Sequence, residues 1–220
     1  MKIIDFHAHV LPCADHGSDS LETSLAQIEL AKKAGVDVIV ATPHFYPHMH
    51  KLNSFLERRD EAFRKLSEAT DSKIICGAEV LLCEKIEKFD NIDSLCLAGT
   101  KTLLLELPFS PFKDSYADSA EQLIDSGYSV VLAHAERYPV ASIEALLSVG
   151  AKIQLNASAV CRLFIKKHIK RWLAAGDVVA IGSDIHMLSG KHYTSFDKSR
   201  QKLKSVFSDI MLRSEKYLNM

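Results

Sequence analysis

The sequence predicts an α/β protein built as a parallel βα array, and three observations carry that expectation. Short apolar runs of β type alternate with longer helical patterns along the chain. Several runs are apolar throughout rather than alternating, as strands covered on both faces are. No Pro/Gly/Ser-rich linker or low-complexity tract interrupts the alternation, so residues 1–220 read as a single domain. Such an array either stays open as a doubly wound sheet or closes into a barrel. No glycine-rich phosphate loop follows the first run, which leaves the nucleotide-binding open sheet little support.

Seven strands are expected. KIIDF (2–6) comes first, followed by a helix over 20–34 with Leu21, Leu25 and Ile28 at helical spacing. Asp19 with Glu22 has the form of a capping box, and Gly35 that of a C-terminal stop. DVIVAT (37–42) is the second strand. The helix after it spans 54–69, opens on Ser54 and Glu57, and turns Leu56, Phe63 and Leu66 inward. Then come KIICGAEV (73–80), TLLLEL (102–107), SVVLAH (129–134), KIQLN (152–156) and VVAIGSD (178–184). Further helices are expected near 115–126, 141–148, 162–175 and 195–210. Gly127, Gly150 and Gly176 each sit just past one of them, where a left-handed residue is wanted. Trp172 reads most simply as core.

Apolar residues make up 47% of the chain, enough for a sizeable core, and the net charge is -1. That balance gives no electrostatic reason to expect nucleic acid or an acidic membrane as partner, though it leaves room for a local basic pocket. The five cysteines are scattered, without a C-x-x-C pair, so a disulfide framework is not expected and a reducing compartment fits better. Cys13 alone lies in a ligand-rich stretch. No signal peptide and no run of roughly 20 apolar residues is present, so the reading is a soluble, cytoplasmic protein.

The stretch DFHAHVLPCADHGSD (5–19) holds three histidines and three aspartates. Ligand-type residues recur at the later strand ends. The first strand runs into His7 and His9, the second into His44, the third ends at Glu79 and the fourth at Glu106. The fifth ends at His134, the sixth at Asn156, and the seventh runs into Asp184 and His186. In a βα barrel all strand C-termini point to one face, so these residues would converge. His7 and His9 share a side because strand side chains alternate, and the same holds for Asp184 and His186. One histidine in an apolar setting is more often a satisfied core residue. Histidine or carboxylate at six of seven strand ends is hard to explain that way, because a buried carboxylate is costly unless paired or metal-bound.

This donor set exceeds one coordination sphere and suggests two or three divalent ions, with Zn²⁺, Mn²⁺ and Fe²⁺ all compatible. Such clusters activate water and clamp phosphoryl oxygens. His48 and His50 fit a loop at the mouth of the site. Asn156 either hydrogen-bonds the groups that surround the ligands or caps a turn, and His168 fits helix surface.

The ordered motifs H-x-H, T-P-H, G-x-E, L-E-L-P, A-H-x-E-R-Y and S-D-x-H resemble the PHP (polymerase and histidinol phosphatase) superfamily. The likeness is closest to the bacterial PHP-type tyrosine phosphatases encoded with capsular and exopolysaccharide genes, and it runs to about residue 190. The resemblance implies a distorted (β/α)7 TIM-like barrel with a trinuclear metal centre. It implies His7, His9, His44, Glu79, Glu106, His134, Asp184 and His186 as ligands, with Glu79 bridging. It also implies that Arg137 binds the substrate phosphate, a role its planar fork suits. The competing reading of Arg137 is a surface salt bridge with Glu136.

Where that family has H-x-H-I-L-P and then D-D-G, this chain has HAHVLPCADHG. His16 therefore falls at a ligand position. Alternatively Asp15 is the ligand and His16 faces the substrate as a proton donor. The part after SDIH matches the family poorly.

The resemblance implies a metal-dependent phosphomonoester hydrolase, most simply a protein-tyrosine phosphatase working through a metal-activated hydroxide. Its partner would be a phosphotyrosine protein, such as a bacterial tyrosine kinase, or a small phosphoester. The alternatives are a histidinol-phosphate or other small-molecule phosphoesterase, a related metal-dependent nuclease or amidohydrolase, and a non-catalytic module. The cysteine-phosphatase loop C-x5-R is absent, and no lysine stands at a strand end as amidohydrolases often require.

Overall fold

The apolar runs form the strands of an α/β fold with parallel sheets. The computed structural model describes residues 1–188 and 191–220. Its strands are β1 (Ile4–Ala8), β2 (Val38–Ala41), β3 (His44–Phe45), β4 (Lys73–Cys76), β5 (Glu79–Leu81), β6 (Thr102–Glu106), β7 (Ser129–Leu132), β8 (Lys152–Asn156) and β9 (Val178–Gly182). The third expected strand is interrupted once, and the second is followed by a further short strand. Thr42-Pro43 separates β2 from β3, and Gly77-Ala78 separates β4 from β5. Pro43 has no N–H for a ladder. Pairing still passes through the breaks: Thr42 N–H donates to the Ala8 carbonyl (3.0 Å), and Glu79 N–H to that of Pro43 (3.0 Å).

Every ladder is parallel, and the strands follow chain order within a three-stranded sheet, β1-β2-β4, and a six-stranded sheet, β3-β5-β6-β7-β8-β9. Beyond the ladders, Asp184 N–H donates to the His7 carbonyl (2.8 Å) and His9 N–H to the Ile185 carbonyl (3.1 Å). The end of the first strand thus lies against the segment leaving the last. Gly182 permits this approach: a Cβ there would stand 2.6 Å from His7 Cβ and 2.7 Å from Gln154 Nε2. The strand interiors are almost wholly buried, which is why they read as unbroken apolar runs.

The helices are α1 (Leu21–Lys33), α2 (Leu52–Ala69), α3 (Asp114–Asp125), α4 (Val140–Ser148), α5 (Ala157–Val160), α6 (Lys167–Ala175), α7 (Lys191–Leu203) and α8 (Ser205–Tyr217). Ser20, not Asp19, caps α1, accepting from Thr23 N–H at 3.1 Å, while Asp19 accepts from the Thr23 hydroxyl. α2 starts two residues before Ser54 and buries Phe55, Ala62 and Leu66, so Leu56 and Phe63 only flank the buried stripe. The helix expected over 162–175 begins only at Lys167. Ahead of it the chain makes the short α5 and then a loop with Leu163 and Phe164 exposed, so the apolar periodicity there does not reflect burial. The helix expected over 195–210 breaks at Lys204, whose φ is 50°. α8 then packs beneath the sheet, with Ser214 Oγ donating to the Val179 carbonyl (2.8 Å). Trp172 is buried, as expected.

Candidate metal centre

The strand ends bring eight side chains together. His7 and His9 leave the end of β1 with their Nε2 atoms 3.0 Å apart. His44 and Glu79 are register partners on β3 and β5. Glu79 sits at the middle: Oε2 is 3.2 Å from His7 Nε2, 3.4 Å from His9 Nε2 and 2.9 Å from His44 Nδ1, and Oε1 is 2.7 Å from His134 Nε2. Glu106 approaches His44 (3.6 Å) and His134 (3.5 Å). Asp184 Oδ1 approaches His7 (3.8 Å) and His9 (3.6 Å), and His186 Nε2 lies 3.4 Å from His44 Nε2. Three sets of donor atoms each lie within 4.8 Å of one another: His9/His44/His186, His7/His9/Glu79 and His44/Glu79/Glu106.

This donor set fits divalent cations. Glu79 Oε2, Asp184 Oδ1, His44 Nδ1 and His134 Nδ1 are buried, and among the described residues none of their close contacts has the alignment of a hydrogen bond. A buried polar atom left so costs about 1–3 kcal/mol, and more when charged. A shared cation removes that cost for the atoms facing the cluster. The backbone is also strained where two of these side chains enter. His134 (φ 33°) and Asp184 (φ 54°) both adopt left-handed conformations that residues other than glycine rarely take.

A surrounding layer of hydrogen bonds aims these side chains. Gln154 Oε1 accepts from His134 N–H (2.6 Å) and lies 3.2 Å from His7 Nδ1. With its proton on Nδ1, His7 presents a bare Nε2 to the cluster. Gln154 Nε2 donates to Asn156 Oδ1 (3.0 Å), and Asn156 Nδ2 donates to Asp184 Oδ2 (2.8 Å). Asp15 Oδ2 is 2.7 Å from His9 Nδ1 and accepts from His44 N–H (2.9 Å). Its other oxygen accepts from Gly17 N–H (2.8 Å). That loop packs so tightly that a Cβ at Gly17 would stand 2.4 Å from His9 Cβ. Asp5, fully buried, accepts from Ser183 N–H (2.7 Å) and the Tyr193 hydroxyl (2.8 Å), fixing the segment that carries Asp184 and His186.

The electrostatics express the crowding of carboxylates and imidazoles. Burial alone would lower His9, but the hydrogen bonds and charges of Asp15 and Glu79 push it up to about 10. Burial would raise Asp15, yet the His9 bond and charge hold it well below the usual carboxylate range. Burial, then the neighbouring Glu79 carboxylate, pushes Glu106 up. Burial and then His9 press His186 down to about 4. Cations are thus drawn to this cluster, and protons occupy atoms that a metal would take.

His16 is exposed and lies outside the three donor sets. Its ring stacks on His44 (4.7 Å) and His186 (4.8 Å) at the mouth. Arg137 follows His134 in a short 3₁₀ turn and pairs with Asp184 rather than with Glu136. It separates two cavities. One, of about 330 Å³, is walled by Phe109, Phe112, Tyr116, Tyr138 and neighbouring prolines. The other, of about 190 Å³, holds Glu136, Asn156, Arg162 and Lys166. His48 is exposed in the loop before α2, and His50 accepts there from Tyr46 N–H (3.1 Å). His168 packs on Trp172, and exposed Cys13 points at the Asp19 carbonyl.

Gln154 and Asp5 were not among the sequence candidates. The signal for Gln154 was its spacing of two from Asn156 in KIQLN, which puts both on one strand face. Gln154→Leu is expected to weaken metal affinity by about 10–100-fold, because it removes the acceptor that orients His7. Competition with a metal-indicator chelator measures this, and unchanged affinity would reduce Gln154 to a packing residue.

The fold and the site together define a parallel α/β protein with a candidate metal centre at its strand ends. A family model for capsular polysaccharide synthesis, CpsB/CapC, matches residues 3–213, and the chain belongs to that family. It is 27% identical over 207 residues to the tyrosine-protein phosphatase YwqE of Bacillus subtilis, covering 87% of this chain and 80% of that protein. It is 26% identical over 206 residues to the tyrosine-protein phosphatase CpsB of Streptococcus agalactiae, covering 84% of each. A crystal structure from work on YwqE of B. subtilis and CpsB of Streptococcus pneumoniae, described as metal-dependent tyrosine phosphatases, superposes with a TM-score of 0.81. It is 23% identical and covers 99% of this chain and 94% of that one.

Proposed function

We propose that this protein is a metal-dependent phosphomonoester hydrolase that removes phosphate from tyrosine in proteins. The observation that carries the reading is the position of Arg137. Its guanidinium reaches Asp184 at the edge of the cluster and borders a cavity of aromatic rings. A phosphate bound between Arg137 and the cluster would place a phenyl ring against Phe109 and Tyr138. The names of its relatives and its family membership point the same way. Exposed apolar residues lie in the loops after four strands, Met49, Phe109, Phe164 and Met187 among them. They suit a protein substrate better than a small phosphoester.

Under this reading His7, His9, His44, Glu79, Glu106, His134, Asp184 and His186 would hold two or three ions of Mn, Fe or Zn. When bound, such ions polarise phosphoryl oxygens and lower the pKa of water. Arg137 clamps the equatorial oxygens through its fork. Gln154, Asn156 and Asp15 keep the ligands aimed. The hydrogen bonds joining β1 to the segment after β9 support a distorted seven-stranded barrel over one domain, 1–220. Among the described residues no helix is long and apolar enough to cross a membrane. Under this reading the enzyme is cytoplasmic and acts on a protein such as a tyrosine kinase.

The test is a substrate panel of phosphotyrosine peptide, histidinol phosphate and sugar phosphates, run before and after chelation. Turnover should be highest on the peptide, vanish with chelator and return with metal. Faster hydrolysis of histidinol phosphate would overturn the substrate assignment, and full activity in chelator would overturn the metal reading.

We assign His16 to the mouth, facing the leaving oxygen, because Asp15 already anchors His9 and the His44 backbone. His16→Asp should therefore keep metal content and metal preference, while Asp15→Ala loses about 10–100-fold in metal affinity. Elemental analysis after loading with Zn²⁺ or Mn²⁺ decides: a shift of His16→Asp toward Mn²⁺ would return His16 to the ligands.

A further inference from the structure

We propose that the cavity of about 190 Å³ beside Arg137 is a second anion subsite, which binds a carboxylate or a further phosphate on the peptide that carries the phosphotyrosine. The proposal rests on the phosphatase reading and names a preference of the same site.

Arg162 and Lys166 line this cavity, and neither has an ion-pair partner among the described residues. Other basic side chains are already engaged: Arg137, which also lines this cavity, with Asp184, Arg171 with Glu144 and Lys152 with Asp177. The chain as a whole is nearly neutral, at -1, yet residues 161–171 carry Arg162, Lys166, Lys167, Lys170 and Arg171 and no acidic residue. The break between α5 and α6 matters here. A continuous helix would carry these cations along a solvent face, whereas the observed loop places Arg162 and Lys166 on a concave wall next to the centre. The cavity's one carboxylate, Glu136, is turned to the end of β8, where it accepts from Asn156 N–H at 3.3 Å.

Cations without partners facing a concavity attract anions, and a neighbouring site that already captures a phosphate raises the effective concentration of anything tethered to it. Arg162 and Lys166 are exposed, so each contact contributes modestly. Two exposed ion pairs correspond to about a 3- to 10-fold preference, reduced by salt.

The test uses the full chain with its metal and fluorescent peptides whose phosphotyrosine is replaced by a non-hydrolysable phosphonate. One peptide has Asp and Glu flanking the phosphonate, one has Ala and Ser, and one has a phosphoserine. Anisotropy should give the acidic and phosphoserine peptides Kd values about 3- to 10-fold below that of the neutral peptide. Arg162→Ser with Lys166→Ser should abolish the difference, leave the neutral peptide's Kd in place, and preserve kcat and KM for p-nitrophenyl phosphate. A gain for phosphoserine alone supports the subsite and narrows it to phosphate, and a gain for carboxylate alone narrows it the other way. Equal affinity for all three peptides, no measurable binding, or a preference that survives in the double variant overturns the proposal. Failure of the phosphatase reading looks different: no phosphotyrosine peptide of any flank is hydrolysed, whatever the anisotropy shows.

Discussion

Glu79→Ala should yield a folded protein with less metal and a phosphatase rate lower by about 10³-fold or more. Glu79 is fully buried, and its two oxygens lie within 3.4 Å of nitrogens from His7, His9, His44 and His134. Each of these contacts is shorter than any between Asp184 and an imidazole. Glu79 belongs to two of the three donor sets, so its loss weakens both. Loss of several kcal/mol of charge stabilisation, about 4, corresponds to about a thousandfold in rate. Although burial opposes its charge, the surrounding histidines hold Glu79 well below the usual carboxylate range. Removing that charge leaves His7, His44 and His134 with only the more distant carboxylates of Asp184 and Glu106, at 3.5–3.8 Å. Glu79→Gln keeps the shape without the charge and should fall between wild type and Glu79→Ala in both metal and rate. Elemental analysis, circular dichroism and turnover on the same samples separate the outcomes. Full metal content with full rate would make Glu79 a structural residue.

Much of this centre was legible because parallel strands write their ends plainly. A strand buried on both faces has few polar residues of its own, so His134 after SVVLA and Glu106 after TLLL stand out as interruptions. The residues that orient the ligands were less visible. Gln154 lies inside an apolar strand, and a lone glutamine in such a run carries no sign of which histidine it meets; His7, its partner, is 147 residues away. Asp5 is similar, because its partners Ser183 and Tyr193 come from the far end of the chain. The helix over 162–175 was misplaced for a different reason. Leu163, Phe164 and Ile165 form an apolar run that reads as part of a packed element, but Leu163 and Phe164 point into solvent. His16 shows the limit of motif position alone. It stands one residue from Asp15, but only three-dimensional placement separates a carboxylate bonded to His9 from a ring stacked at the mouth.

Arg137→Ala should keep its metal, keep its melting temperature and lose about 10²-fold in rate on a phosphotyrosine substrate. Its side chain is 43% exposed, so its removal opens no buried cavity and costs little stability. Asp184, its partner, keeps the hydrogen bond from Asn156 Nδ2 at 2.8 Å and its place beside His7 and His9, so the metal ligands stay aimed. What disappears is a planar, permanently charged fork at the edge of the cluster. A charge-assisted contact to phosphoryl oxygens is worth about 2–3 kcal/mol, which gives the stated hundredfold. Lysine restores a point charge but not two parallel N–H donors, so Arg137→Lys should recover only part of the loss. The kinetic split says where the contact acts. Equal falls in kcat and kcat/KM mean that the contact forms in the transition state, and a rise in KM alone means uniform phosphate binding. Wild-type turnover in Arg137→Ala would leave Arg137 only its ion pair with the buried Asp184 and no part in the chemistry.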